Sequence, residues 1–75
     1  MSSSSRGVAI VGCGLIGHKR ANALGRANLV VCADLNSERA EALAQKHSGA
    51  AAVADWRDAV TKPEVSIVIV ATTKV

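Results

Sequence analysis

Three glycines fall within six residues, Gly12, Gly14 and Gly17, directly after the apolar run 8–11. An unbroken apolar run ending at glycine suits a strand buried on both faces, as in a parallel sheet. From residue 15 to 24 the pattern turns helical, with Gly17, Ala21 and Leu24 at i, i+4 and i+7. Gly25 is the expected stop of that helix. A strand therefore turns sharply into a helix, and the helix must lie close on the sheet.

The spacing Gly12-x-Gly14-x-x-Gly17 has a chemical reading. Gly12 permits the tight turn, Gly14 lets backbone N–H groups approach a pyrophosphate, and Gly17 lets the helix pack closely. The unpaired N–H groups of the helix N-terminus then receive the phosphates. The pattern alone is weak evidence, and a glycine turn used only for packing is the alternative. Here it follows a strand, opens a helix and precedes a second strand over residues 29–33. Asp34 closes that strand 22 residues after Gly12, where an acid would hydrogen-bond an adenosine ribose. A carboxylate there favours the 2′-hydroxyl of NAD and repels the 2′-phosphate of NADP. Arg39, one turn into the next helix, is a candidate to cover adenine or meet a 2′-phosphate, so NADP stays open.

The rest of the chain repeats the alternation. Ser37 is the expected cap of a second helix, with Ala40, Leu43, Ala44 and His47 on its apolar face and Gly49 at its end. Residues 51–54 read as a weak strand at the sheet edge. Asp55 is expected to cap a short helical turn through residue 60, which Pro63 closes off, and residues 65–71 form a fourth strand. The order β-α-β-α-β-α-β predicts an α/β fold: an incomplete, doubly wound parallel sheet of Rossmann type, with strand order 3-2-1-4. Residues 1–6 read as a disordered polar tail, and residues 7–75 as the N-terminal part of a dinucleotide-binding domain.

Composition narrows the function classes. With 75 residues, one Trp and neither Phe nor Tyr, the core must be small and aliphatic. The net charge is +3, yet stacking aromatics are lacking, which argues against a nucleic-acid partner. No apolar run is long enough to span a bilayer, and the polar start lacks the apolar stretch of a signal peptide. Cys13 and Cys32 are too few for a disulfide framework or a metal site, and read as reduced, buried residues of a cytoplasmic protein. Cys13 near a helix N-terminus is also a weak candidate for a reactive thiol. His18, Lys19 and Arg20 read as a solvated helix face, and Trp56 as a cover for the sheet edge, with a place beside adenine as the alternative.

Three segments in order carry a family resemblance: "VAIVGCGLIGHKRANAL", "LVVCADLNSERAEALAQKHSG" and "PEVSIVIVATT". Together they resemble the opening of the glucose–fructose oxidoreductase and inositol dehydrogenase (Gfo/Idh/MocA) family. The resemblance implies an NAD(P)-dependent oxidoreductase acting on sugars, inositols or related alcohols. By position, Gly12, Cys13, Gly14, Leu15, Ile16 and Gly17 resemble the pyrophosphate loop. Asp34 resembles the ribose-binding acid, and Ala71, Thr72 and Thr73 the loop beside the nicotinamide end. Lys74 and Val75 depart from the family pattern after Thr73. The family's Glu-Lys-Pro segment, with its catalytic lysine, and its substrate domain have no counterpart in these residues. The expectation is thus a cofactor-binding segment without catalytic residues, itself inactive. Two other readings stay open: another NAD(P)-dependent reductase with the same opening, and a dinucleotide-binding module without catalysis.

Overall fold

The computed structural model describes residues 6–25, 27–47 and 49–72. Seven elements alternate along the chain: β1 (Gly7–Val11), α1 (Leu15–Asn22), β2 (Asn28–Ala33), α2 (Ser37–Gln45), β3 (Ala51–Val53), α3 (Trp56–Val60) and β4 (Val65–Val70). The strands form one parallel sheet in the order β3-β2-β1-β4, as the alternation predicts. β1 lies inside the sheet and is apolar throughout, so Val8, Ala9 and Ile10 are buried in succession. Both faces of that strand are covered. Ile10 meets Cys32, Ala21 of α1 and Ala40 and Leu43 of α2 on one side. Ala9 packs with Val31, Ala33 and Ala59 of α3 on the other. Fully burying a side chain such as Ile10 or Leu43 contributes roughly 2 kcal/mol. The small residues Ala21, Ala40 and Ala59 let short helices sit close, which is how an aliphatic core without Phe or Tyr is closed.

Register decides where the site lies. Val11 pairs with Ala33 on one side and with Val70 on the other, so β1, β2 and β4 end level. The ladder runs on beyond them: Gly12 N–H donates to the Ala33 carbonyl at 2.8 Å, and Ala71 N–H to the Val11 carbonyl at 2.7 Å. The chain leaves β1 towards β2 and enters β4 on the opposite flank. A crevice therefore opens at the carboxyl ends, where the strand order reverses.

Several boundaries differ from the sequence reading. Asn36, not Ser37, caps α2: its side chain accepts from the amides of Glu38 and Arg39. Asp34 has already fixed Asn36 by accepting its N–H at 2.8 Å, which makes Asn36 the last extended residue. Asp55 caps α3 as expected, accepting from the Arg57 amide. α1 and α2 end before Gly25 and Gly49, because Ala23 and Lys46 tighten the last turns by bonding the carbonyls of Arg20 and Leu43. Arg6, placed by sequence in the polar tail, accepts a hydrogen bond from Asn28 at 2.8 Å; residues 1–5 lie outside the described residues.

β4 is an edge strand. Its side away from β1 pairs with no strand among the described residues, and Val68 and Val70 are 44% and 70% exposed. An apolar edge with free N–H and C=O groups is a template for self-association. Residues 1–75 expressed alone are expected to run above monomer size in gel filtration. Val70→Lys, which places a charge on that edge strand, is expected to shift the profile towards monomer. An unchanged profile would show that another surface drives association.

Candidate functional site

The carboxyl ends of β1, β2 and β3 surround a cavity of about 570 Å³, with Gly12, Asp34, Leu35, Trp56 and Thr72 among its lining. Its floor is built by backbone because side chains are excluded there. Gly12 has φ +102°, and a Cβ on it would sit 2.8 Å from the Thr72 amide nitrogen and 2.9 Å from the Ala71 carbonyl carbon. A Cβ on Gly17 would run into the Gly12 carbonyl oxygen, with Ile10 Cγ2 next at 3.6 Å. Gly12 thus allows the turn and Gly17 the close seating of α1 on β1.

Gly14 is different. It is the N-cap of α1, and its backbone is extended, with φ −84° and ψ −155°. A Cβ there would meet only Arg39 Nη1, at 4.0 Å. No side chain caps α1, no acid lies in its first turn, and Lys19 and Arg20 occupy its last turn. The first-turn amides carry the positive end of the helix dipole with no side-chain acceptor among the described residues, which is the arrangement that receives an anion. The guanidinium of Arg39 adds a positive charge beside it. Leu15, 75% exposed, projects from the first turn, while Ile16 is half-buried against the core.

Cys13 occupies the middle of the loop and is buried. Its thiol donates to the Ala33 carbonyl at 3.4 Å, and its amide donates to Asp34 Oδ2 at 2.9 Å. The neighbouring Cys32 thiol, and then burial, push its pKa far above the ordinary thiol value. Cys13 is therefore no thiolate at neutral pH, and the reading of a reactive thiol is withdrawn. Asp34 holds both ends of its carboxylate on backbone amides, Cys13 on Oδ2 and Asn36 on Oδ1. Four lone-pair directions are available on an ionised carboxylate, so two acceptor positions remain for a ligand.

Across the cavity stand two exposed apolar side chains. Leu35 is 92% exposed and Trp56 51%. Trp56 follows the edge strand β3 and lines the cavity, since Asp55 starts α3 immediately beside it. The Arg57 guanidinium lies 5.4 Å from the Trp56 ring centre and 3.8 Å from Asp55. The sequence reading passed over Leu35; an apolar residue inside the polar stretch "DLNSE" was its only signal. Ala71 is buried and Thr72 exposed at the Gly12 turn, so the loop after β4 forms the opposite wall. Thr73 lies outside the described residues. No cluster of potential metal ligands occurs among the described residues, and no helix there is long and apolar enough to cross a membrane.

This geometry has counterparts. No curated protein matches the chain significantly in sequence. Among solved structures, a myo-inositol dehydrogenase from Corynebacterium glutamicum is 30% identical, with a TM-score of 0.81 over 92% of this chain and 21% of its own. A myo-inositol dehydrogenase from Lactobacillus casei, solved with NAD(H) and myo-inositol, is 27% identical, with a TM-score of 0.79 over 88% of this chain and 21% of that one. GenD2 from gentamicin A biosynthesis, solved with NAD, is 29% identical, with a TM-score of 0.85 over 96% of this chain and 21% of that one. The chain thus spans about a fifth of the length of these structures. The sequence pattern of the Gfo/Idh/MocA oxidoreductases covers residues 6–74, which takes in the glycine turn, Asp34 and the loop after β4. With sheet order, glycine turn and sequence pattern in agreement, the chain belongs to this oxidoreductase family with the NAD-binding Rossmann fold.

Proposed function

We propose that this chain forms the cofactor-binding part of an enzyme that moves a hydride between a nicotinamide dinucleotide and an alcohol carbon of a sugar-like or inositol-like substrate. The observation that carries the reading is the open, uncapped Gly14 at the N-terminus of α1, beside the carboxylate of Asp34. A dinucleotide needs an anion-accepting helix end, room for backbone approach and a ribose acceptor; Gly12 and Asp34 line the cavity, and the helix end at Gly14 follows two residues after Gly12. The myo-inositol in the Lactobacillus casei structure supports the substrate class. The free thiols of Cys13 and Cys32 support a reducing compartment such as the cytoplasm.

In this reading the amides of Gly14, Leu15 and Ile16 hold the pyrophosphate. Cys13 contributes differently, because its amide serves Asp34. Gly12 and Gly17 shape the loop. Asp34 accepts the adenosine ribose hydroxyl, Arg39 offsets phosphate charge, and Leu35 and Trp56 flank the adenine. Ala71 and Thr72 run beside the nicotinamide end. The nicotinamide, when bound, supplies the hydride chemistry, while these residues bind and orient it. No described residue takes the role of a catalytic acid or base.

Four measurements on the intact protein test this assignment. Calorimetric titration is expected to give NAD about tenfold or more tighter binding than NADP, since Asp34 opposes a 2′-phosphate; tenfold corresponds to about 1.4 kcal/mol. Equal affinities would mean that Arg39 outweighs Asp34. Gly14→Val is expected to lower NAD affinity by about tenfold or more while keeping Tm, because its Cβ meets open space at an ordinary φ. Gly17→Ala should instead lower Tm, since its methyl collides with the Gly12 carbonyl. Trp56→Ala is expected to weaken NAD severalfold and leave nicotinamide mononucleotide, which has no adenine, unaffected. Equal loss for both ligands would move the adenine elsewhere.

A further inference from the structure

One carboxylate joins two loops that leave different strands. Asp34, at the end of β2, accepts the Cys13 amide of the glycine loop at 2.9 Å and the Asn36 amide of the turn into α2 at 2.8 Å. We infer that Asp34 is a positioning residue for the glycine loop, a role separate from its contact with ribose. The inference builds on the dinucleotide reading and gives Asp34 a second task within the protein itself.

Cys13 has little freedom to find another acceptor. Its side chain is buried against the Ala33 carbonyl and Cys32, so its backbone is fixed from within. The preceding residue, Gly12, is pinned by its own bond to Ala33 and by the Ala71–Thr72 backbone. The Cys13 amide is left facing Asp34, where an ionised carboxylate accepts it with a charge-assisted bond. That bond sets the path of the chain into Gly14 and hence the aim of the first-turn amides of α1.

The chemistry of the side chain makes this role specific. A carboxylate has an acceptor oxygen for each loop; a carboxamide has only one. In Asp34→Asn the single oxygen can serve Cys13 or Asn36, and the NH₂ group faces whichever N–H remains. The shape is kept and the bridge is lost. Cofactor choice and loop order therefore reside in one group. Replacing Asp34 by a small neutral residue relieves repulsion of a 2′-phosphate, yet it also loosens the loop on which both NAD and NADP depend. Preference should move towards NADP while both affinities fall.

The experiment combines amide hydrogen exchange without ligand with calorimetric titration of NAD and of an NAD analogue lacking the 2′- and 3′-hydroxyls of the adenosine ribose. Wild type, Asp34→Asn and Asp34→Ala are compared in the intact protein. The Cys13 amide is expected to exchange about tenfold faster in Asp34→Ala, and one of the Cys13 and Asn36 amides faster in Asp34→Asn, with the amides of Gly7–Val11 unchanged. Asp34→Ala is expected to weaken the dideoxy analogue severalfold, although that ligand offers Asp34 no hydroxyl. Equal analogue affinity in wild type and Asp34→Ala, or unchanged Cys13 exchange in Asp34→Ala, would overturn the inference. Faster exchange throughout β1 would also overturn it, by showing general destabilisation. If wild type binds neither NAD nor the analogue, the dinucleotide reading fails, while the exchange data still decide whether Asp34 positions the loop.

Discussion

The structure depends on the near-zero volume available around the Gly12 peptide. Its N–H belongs to the ladder with Ala33, its carbonyl lies under Gly17 of α1, and its Cα lies against the Ala71–Thr72 backbone. Three elements, β2, α1 and the end of β4, thus converge on one residue. A side chain there would have to displace backbone on the β4 side, and at φ +102° it would also be strained. The close approach brings the start of α1 next to the carboxyl ends of three strands, which places an anion-accepting helix end beside an acid at the end of β2. Packing and binding geometry share a cause here: the glycines that let the helix close on the sheet also leave the loop without side chains.

The electrostatics follow from that placement. A helix N-terminus beside a carboxylate would ordinarily be capped by it. Asp34 is instead committed to Cys13 and Asn36, and it leaves the first turn of α1 free. Lys19 and Arg20 complement the opposite end of the helix. Positive potential therefore gathers at Gly14 and Arg39, while negative charge stays at Asp34; Asp55 along the cavity is paired with Arg57. A ligand suited to this pattern is anionic in its middle and carries hydroxyl donors to one side, as a dinucleotide does at its pyrophosphate and adenosine ribose.

The parts of this arrangement that are local in sequence were legible in it. The apolar run into Gly12, the helical period after Leu15 and the strand ending at Asp34 each repeat over a few residues, and strand order follows from the handedness of parallel crossovers. Contacts between distant residues were not legible. The Cys13–Asp34 bond links positions 21 apart and exists only because β1 and β2 end level. Asn36 displaced Ser37 as the α2 cap for the same reason: either residue type caps well, and the bond from Asn36 N–H to Asp34 decides where the turn ends. Leu35 and Trp56 carry no local signature of a shared cavity, since the wall between them forms when β3 pairs beside β2. Cys13 was read as part of a phosphate loop by its neighbours, whereas its buried side chain and committed amide make it a support beneath that loop.

That support explains why a small, oxidisable residue can stand at the centre of a binding loop. The position needs a side chain small enough to lie between β1 and β2, able to donate weakly to the Ala33 carbonyl, and unwilling to ionise next to Asp34. A thiol with a raised pKa meets all three demands. A serine of similar shape would bring a stronger desolvation cost into a core that otherwise contains Val8, Ile10 and Leu43. A larger apolar residue would press on Cys32 and lift the loop from the sheet. Asp34 above and the aliphatic core below therefore constrain Cys13 from both sides, and with it the path of the chain from Gly12 to Gly14.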